Sequence, residues 1–445
     1  MKKVITYGTY DLYHFGHQKL LERAKALGDY LIVAVTADDF DKARGKINVK
    51  QTLLERIENV RATGLADEII VEEYEGQKID DIKKYDIDIF TVGSDWEGKF
   101  DYLKEYCEVV YLPRTEGISS TELRSETKQI KLGLVGEEAY VNKFIKETSY
   151  VNGLKCESVY CLNKDNLDKE YHNMEVDSFD KLLDSVDAVF ISSTPKNHYD
   201  QIKKALNKGK HVLCESPISL KTDEVQELFN LANEKGLILR ESIKTAYSTA
   251  YYRLILLAKT GKIGKIVSVD STCTSLMSET DEKDLEKEWK SIEAWGPTGL
   301  LPVLQLLGTN YKKKCIITNY IDKDNKFDAF SKINLIYDNS TATIKVGKGI
   351  KSEGELIISG TEGYIYVQAP WWKTDYFEIR YEDQSMNKRF FYQLDGEGIR
   401  YELVSFLKAI QTGKDTSYID KDISLAISNI FEDYEKGEDV IEIEF

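Results

Sequence analysis

The stretch Tyr7-Gly8-Thr9-Tyr10-Asp11-Leu12-Tyr13-His14-Phe15-Gly16-His17 constrains the fold of this chain more than any other. Before it stands Val4-Ile5-Thr6, a β-branched run suited to a buried strand; after it, residues 18–24 have helical composition with apolar residues on one side. A strand that runs through a glycine-bearing turn straight into a helix is the opening unit of a parallel α/β sheet. With the helix starting near His14, His14 and His17 share one face close to its N-terminus, where open backbone N–H groups and the helix dipole favour an anion. Gly8 and Gly16 let a ligand approach the backbone. Imidazoles so placed can donate hydrogen bonds, or charge when protonated, to a phosphoryl group in transfer. The plainer reading is two surface histidines with ordinary partners.

Alternation continues through the first part of the chain, with strands near 4–6, 30–35, 68–71, 87–92 and 108–112 and helices near 14–27, 51–61 and 79–84. This predicts a Rossmann-like parallel sheet with helices on both faces, whose ligands gather beyond the carboxyl ends of the strands. Arg44 and Lys46 fall in the loop after the second strand, Arg56 on the next helix, Asp95 after the strand ending at Gly93, and Arg114 after the last strand. The topology brings these four cations toward one mouth. From Arg114 to Glu122 runs a second dense stretch, in which Ser119 and Glu122 match a capping box. Arg114, Ser119, Ser120 and Thr121 also make this helix start a second anion site, and two such termini suit a triphosphate. No GxxxxGK[ST] loop occurs. Simple alternatives stand for Arg56, a solvated helix charge, and for Asp95, a turn former.

At 445 residues the chain predicts two to three domains of ~100–200 residues each. A net charge of −16 argues against nucleic acid or an anionic membrane as partner, so any phosphate site is a local basic pocket. No apolar run approaches the ~20 residues of a membrane span, and Met1-Lys2-Lys3 leads straight into a strand without a signal-peptide core. Membrane insertion and export are therefore not expected, and the expected compartment is the cytoplasm. The six cysteines show neither CxxC pairs nor zinc spacing and read as reduced thiols.

A short polar join at 126–129 separates the first domain, 1–125, from a new apolar strand at Ile130. Residues 130–245 alternate again and predict a second Rossmann-like domain. Residues 246–445 carry strand-like runs near 266–272, 333–337, 342–346, 355–359, 364–367 and 377–381, which predict an α+β domain with a mostly antiparallel open sheet. The last helical pattern spans 399–410.

Together GTYDLYHFGH, the Arg44/Lys46 loop, VGSDWEGKFDYLKEYCEVVYLP and RTEGISST resemble the glycerol-3-phosphate cytidylyltransferases of the HxGH nucleotidyltransferase superfamily. The resemblance implies CTP and glycerol 3-phosphate, or a related polyol phosphate, as substrates, CDP-glycerol and diphosphate as products, and supply of a teichoic acid or capsule pathway. It implies that His14 and His17 meet the α and β phosphates, that Lys46 stabilises the transition state, and that Arg114, Ser119, Ser120 and Thr121 hold the triphosphate. Thr9, Tyr10, Gly16, Arg44 and Asp95 join the nucleotide site; Arg44 and Arg56 are open between triphosphate and acceptor, and Asp11 between acceptor and Mg²⁺.

DAVFISSTPKNHYDQIKKALNKGKHVLCESPISL and TGKIGKIVSV resemble the Gfo/Idh/MocA-type NAD(P)-dependent oxidoreductases over the remainder of the chain. Three departures stand against that chemistry. The glycine fingerprint reads Gly136-Glu137-Glu138-Ala139, Ser216 takes the place of the family's lysine, and Pro302 and Leu306 stand where an Asp and a His would. The expectation is a second half that is non-catalytic, serving oligomerisation, ligand sensing or docking, with NAD(P) absent or idle and the chain a homo-oligomer. The alternatives are a bifunctional enzyme whose second half reduces a precursor of the acceptor, and a nucleotide-binding scaffold without activity.

Overall fold

In the computed structural model the described residues are 1–38, 40, 49–51, 53–74, 76–113, 129–136, 138–151, 153–161, 167–276, 289–392, 394, 396–413, 415 and 417–444. The chain divides into two compact units, 1–129 and 130–445.

The first unit is a five-stranded parallel sheet in the order β3-β2-β1-β4-β5, built from β1 (Lys3–Gly8), β2 (Tyr30–Thr36), β3 (Glu68–Glu72), β4 (Ile89–Gly93) and β5 (Glu108–Leu112). Helices α1 (Phe15–Lys25), α2 (Leu53–Arg61) and α3 (Gln77–Tyr85) form the crossovers. The central strands read as continuous apolar runs because both faces are covered: Val4, Ile5, Leu31, Val33 and Phe90 are fully buried. Burial of side chains of this size stabilises by roughly 1.5–3 kcal/mol each. The strand order reverses at β1, which pairs with β2 on one side and β4 on the other, with Thr6 opposite Thr91. Two residues further along, Gly8 and Gly93 end these neighbouring strands, so the crevice of the sheet opens at the stretch singled out in the sequence.

In the second unit, β6 (Ile130–Gly136), β7 (Leu154–Cys161), β8 (Ala188–Ser192), β9 (His211–Glu215) and β10 (Leu239–Ser242) form another parallel sheet, ordered β10-β9-β8-β6-β7. Helices α4 (Glu138–Thr148), α5 (Phe179–Ser185), α6 (His198–Asn207) and α7 (Thr222–Glu234) flank it. A nine-stranded sheet follows, ordered β18-β17-β16-β15-β11-β14-β13-β12-β19 from β11 (Ile266–Thr274) through β12 (Lys313–Asp322), β13 (Phe327–Ile336), β14 (Thr341–Gly347), β15 (Leu356–Gly360), β16 (Tyr364–Val367), β17 (Tyr376–Arg380) and β18 (Lys388–Phe391) to β19 (Val440–Glu442). It is mixed: β11 runs parallel to β14 and β12 parallel to β19, while the other pairs are antiparallel. Helices α8 (Thr249–Lys259), α9 (Ser291–Leu307), α10 (Ile399–Thr412) and α11 (Lys421–Lys436) complete the unit, so the pattern near 399–410 is not the last helix. The segments 130–245 and 246–445 share one core. Ile399, Leu403, Phe406 and Leu407 of α10 pack with Leu132, Leu134 and Phe144 of the parallel sheet and its first helix.

Candidate functional site

His14 is the N-cap of α1, with extended backbone, and its Nδ1 accepts a hydrogen bond from the Gly16 N–H at 3.0 Å. In a neutral ring the proton is thereby placed on Nε2, which becomes the donor of the site. His17 lies one turn on, its ring stacked on that of His14 with centroids 4.0 Å apart and 24° between planes. Two imidazolium charges that close repel by ~1 kcal/mol even in bulk water and by more when desolvated. A negative charge at the helix end would offset that repulsion. Tyr10 and Tyr13 enclose His17, with ring centroids at 5.5 and 5.6 Å.

The loop that carries the pair is strained and tightly tied. Tyr10 and Leu12 adopt left-handed backbone with φ of 53° and 48°, a conformation that costs a non-glycine residue about 1–3 kcal/mol. Tyr10 is buried, its ring lying so close over Gly8 that a Cβ there would come within 2.9 Å. The phenol of Tyr10 therefore belongs to the core, and burial pushes its pKa above the usual range. Asp11 is buried as well, and its Oδ1 accepts the backbone N–H groups of Lys50 and Gln51, both at 3.0 Å. Gln51 returns the contact, accepting from the Leu12 N–H at 2.9 Å and from Asn59 at 3.1 Å.

Arg56 is wholly buried and its guanidinium is a tie within the protein. Nε donates to the Gln51 carbonyl at 3.2 Å, one terminal nitrogen donates to the carbonyls of Thr9 at 2.7 Å and Thr36 at 2.8 Å, and the other pairs with Asp38. Asp38 in turn accepts from the Leu53 N–H at the start of α2. One side chain thus joins the loop after β1, the end of β2 and the entry to α2. The sequence offered Arg56 to phosphate or acceptor and Asp11 to acceptor or metal; both carry hydrogen bonds that hold the loop in shape. Gln51 and Asp38 were not foreseen, and their only sequence signal is a polar residue just before a helix. Lys78, at the carboxyl ends of β1 and β3, is a further cation of this region; it pairs with Glu72 and lies 4.5 Å from the Tyr7 ring centroid.

Thr9 is partly buried and gives its carbonyl to Arg56. Gly16 gives its N–H to His14. Asp95 is exposed on the single turn Ser94–Trp96 that follows β4. Arg44, Lys46, Arg114, Ser119, Ser120 and Thr121 lie outside the described residues. Among the described residues no three His, Cys, Asp or Glu side chains cluster, and Asp11 Oδ1 accepts the Lys50 and Gln51 N–H groups.

At the positions named in the sequence, the described residues of the second unit offer neither the lysine nor the base of a hydride transfer. At the switch point between β6 and β8, the Ser192 hydroxyl lies 2.0 Å from where a Cβ on Gly136 would stand and donates to the Val135 carbonyl. Ser216 donates to the buried Glu241, and Pro302 and Leu306 on α9 offer no base. His198 is fully buried with ring nitrogens 2.7 Å from the Pro217 carbonyl and 2.6 Å from the Ser193 carbonyl, and His211 accepts from the Ile238 N–H at 3.0 Å. Both histidines tie loops together. Among the described residues no helix is long and apolar enough to cross a membrane.

Residues 5–126 match the cytidylyltransferase-like family, and residues 132–242 match the oxidoreductase family with an NAD-binding Rossmann fold. The chain is 54% identical to the glycerol-3-phosphate cytidylyltransferase of Bacillus spizizenii over 131 residues, 28% of this chain and 97% of that protein. It is 23% identical over 270 residues to a scyllo-inositol 2-dehydrogenase (NADP(+)) of Bacillus subtilis, covering 57% of this chain and 80% of that one. A solved 3-ketoreductase from Actinomadura kijaniata, in complex with NADP and TDP-benzene, superposes with a TM-score of 0.63 at 17% identity, over 71% of this chain and 100% of that one. That last likeness is one of fold.

Proposed function

This chain belongs to the cytidylyltransferase-like family, a nucleotidyltransferase with a Gfo/Idh/MocA oxidoreductase-like domain behind it, and from that premise we propose that it transfers a cytidylyl group from CTP to glycerol 3-phosphate or a closely related polyol phosphate. A phosphate oxygen of the acceptor attacks the α-phosphorus in line. The new P–O bond forms as the bond between the α-phosphorus and its bridging oxygen breaks, and diphosphate leaves with that oxygen. No covalent enzyme intermediate and no redox change is involved, so catalysis consists of positioning and charge stabilisation.

His14 and His17 donate to the α and β phosphates at the head of α1. Lys46 and Arg114 supply charge, with Arg44, Ser119, Ser120 and Thr121 around the triphosphate and Asp95 toward the nucleoside. Asp11, Gln51 and Arg56 are positioning residues that fix the loop from Thr9 to Tyr13. Mg²⁺ arrives with CTP. The product, CDP-glycerol or its analogue, suits a polyol-phosphate polymer of the cell surface, made from CTP in the cytoplasm. The second unit is non-catalytic and serves ligand sensing or self-association.

The observation that supports this most is the high identity across nearly the whole length of a cytidylyltransferase, joined to the stacked histidine pair at the switch point of the sheet. Purified chain with CTP, Mg²⁺ and glycerol 3-phosphate should release diphosphate. Absence of turnover across a panel of polyol and amino-alcohol phosphates would end the proposal. The bifunctional alternative draws on the oxidoreductase match alone, and a null fluorescence titration with NADPH and NADH counts against it.

A further inference from the structure

A cluster of charges in the second unit is not used by the transferase reading. Three lysines from three separate elements converge on one carboxylate. Lys143 of α4 lies 2.6 Å from Glu397, Lys244, just after β10, lies 3.0 Å from it, and Lys373, in the short turn Trp371–Lys373, lies 2.8 Å from it. Counted by themselves, these four side chains carry an excess of two positive charges. All four side chains keep between 21% and 40% of their surface open to solvent.

Glu397 is held there by an unusual backbone. It sits between Gly396 and Gly398, and all three have positive φ, of 57°, 54° and 93°. Left-handed backbone is uncommon for a residue with a side chain, and here it aims a carboxylate into the lysines. Burial alone would raise the Glu397 pKa, but hydrogen bonds from Lys143, Lys373 and Lys244 outweigh it and hold the group at about 2. The flanking glycines allow the turn to leave this arrangement at little steric cost.

Further polar groups act on Lys244. The Tyr140 ring lies 5.3 Å from the Lys244 ammonium. Glu215, at the end of β9, and Glu402, on α10, both interact electrostatically with Lys244. Burial pushes Glu215 up to about 7 and Glu402 up to about 8, so near neutral pH these carboxyls can donate as well as accept hydrogen bonds. Glu402 Oε2 accepts from the Ser242 hydroxyl at 2.8 Å, whereas Oε1 is buried with no hydrogen-bond partner among the described residues. A buried carboxyl oxygen without a partner, next to a cation cluster, marks a place for a hydroxyl-bearing ligand.

We propose that Lys143, Lys244 and Lys373 form a binding site for the phosphate monoester of a small polyol, and that Glu397 occupies the phosphate position as a displaceable internal anion. The phosphate dianion replaces one carboxylate on three ammonium groups, and the hydroxyls of the ligand meet Tyr140, Glu215 and Glu402. The site is independent of the transferase reading, because all of its residues lie in the second unit.

The test is calorimetric titration of the full-length chain, without CTP, using glycerol 3-phosphate, sorbitol 6-phosphate, inorganic phosphate and glycerol as probes. The polyol phosphates should bind, inorganic phosphate should bind more weakly, and glycerol should not bind. Glu397→Gln removes the competing anion and should tighten binding by about tenfold, a difference of about 1.4 kcal/mol. Glu397→Gly, which also relieves the left-handed backbone, should tighten it as well. Lys244→Met should weaken binding by at least about tenfold while diphosphate release by the first unit continues. Unchanged or weaker binding in both Glu397 variants would mean that the cluster is a structural clamp only. Binding that survives Lys244→Met but disappears with His14→Ala and His17→Ala would place the ligand in the first unit; either result overturns the proposal. A chain inactive with CTP yet showing tighter binding in Glu397→Gln would refute the transferase reading and leave this site standing.

Discussion

Substituting Arg56 by lysine separates a positioning role from direct contact with substrate. Lysine keeps the charge, and with it an ion pair to the partly exposed Asp38. One ammonium group cannot reach the carbonyls of Gln51, Thr9 and Thr36 together, which the guanidinium does at 3.2, 2.7 and 2.8 Å. At least two of these bonds are lost, and hydrogen bonds involving a charged group contribute about 1.5–3 kcal/mol each. The expected loss is therefore ~3–6 kcal/mol, against the ~5–15 kcal/mol that a domain typically has in total. In a unit of this size that corresponds to a fall in melting temperature of ~10 °C or more. Scanning calorimetry of the full chain should show the transition of the first unit moving down while that of the second stays in place. Amide exchange should quicken from Thr9 to Tyr13, and kcat should fall at saturating CTP and acceptor. An unchanged melting profile with a raised acceptor KM and intact kcat would refute this reasoning and make Arg56 a substrate ligand.

Other consequences are open to direct measurement. His17→Ala should lower kcat by about 10²–10³, the usual loss when one preorganised donor to a developing charge is removed, at an unchanged melting temperature; unaltered turnover removes His17 from the site. Asp11→Ala leaves the N–H groups of Lys50 and Gln51 without their acceptor, so melting of the first unit should fall by roughly 1–3 kcal/mol in stability, whereas Asp11→Asn, which keeps an acceptor oxygen, should lose much less. Glu402 carries a pKa raised to about 8, chiefly by burial, with Glu215, Lys244, Arg240 and Ser242 facing it. The folded chain thus keeps this proton at pH values where the unfolded chain has released it. Its contribution to stability is full below about pH 4.5 and is lost as pH rises through 8. Glu402→Gln should therefore flatten the decline in melting temperature between pH 5 and 8, and an unchanged slope would contradict the assignment. Chelation of divalent metal should abolish diphosphate release while leaving the melting of the ligand-free chain unchanged, since the proposal has the metal arrive with CTP.

The turn that carries His14 and His17 could be read from the sequence because its determinants are local. His14 and His17 are three residues apart, the glycines bracket one turn, and a strand–turn–helix succession needs no knowledge of distant partners. The parallel sheets were legible for the same reason, since continuous apolar strands alternating with amphipathic helices have few other ways to bury both faces. The third sheet was legible only in part: hairpin spacing announces antiparallel neighbours, but the parallel pairing of β11 with β14 joins segments with two other strands between them, and nothing in either segment's pattern specifies its partner.

By itself, then, the sequence determined the strand–turn–helix stretch between Tyr7 and His17, the two parallel sheets and the residues Ser216, Pro302 and Leu306 where the oxidoreductase family carries its lysine and base. Only the tertiary structure decided what the remaining charges do. Arg56 reads as one more cation of a phosphate site until folding brings it to carbonyls 47 and 20 residues away, at Thr9 and Thr36. Lys143, Lys244, Lys373 and Glu397 read as ordinary surface charges until four distant elements meet. The physical reason is the same in both cases: periodicity records which face of an element is buried, whereas the partner of a charge depends on the path of the whole chain.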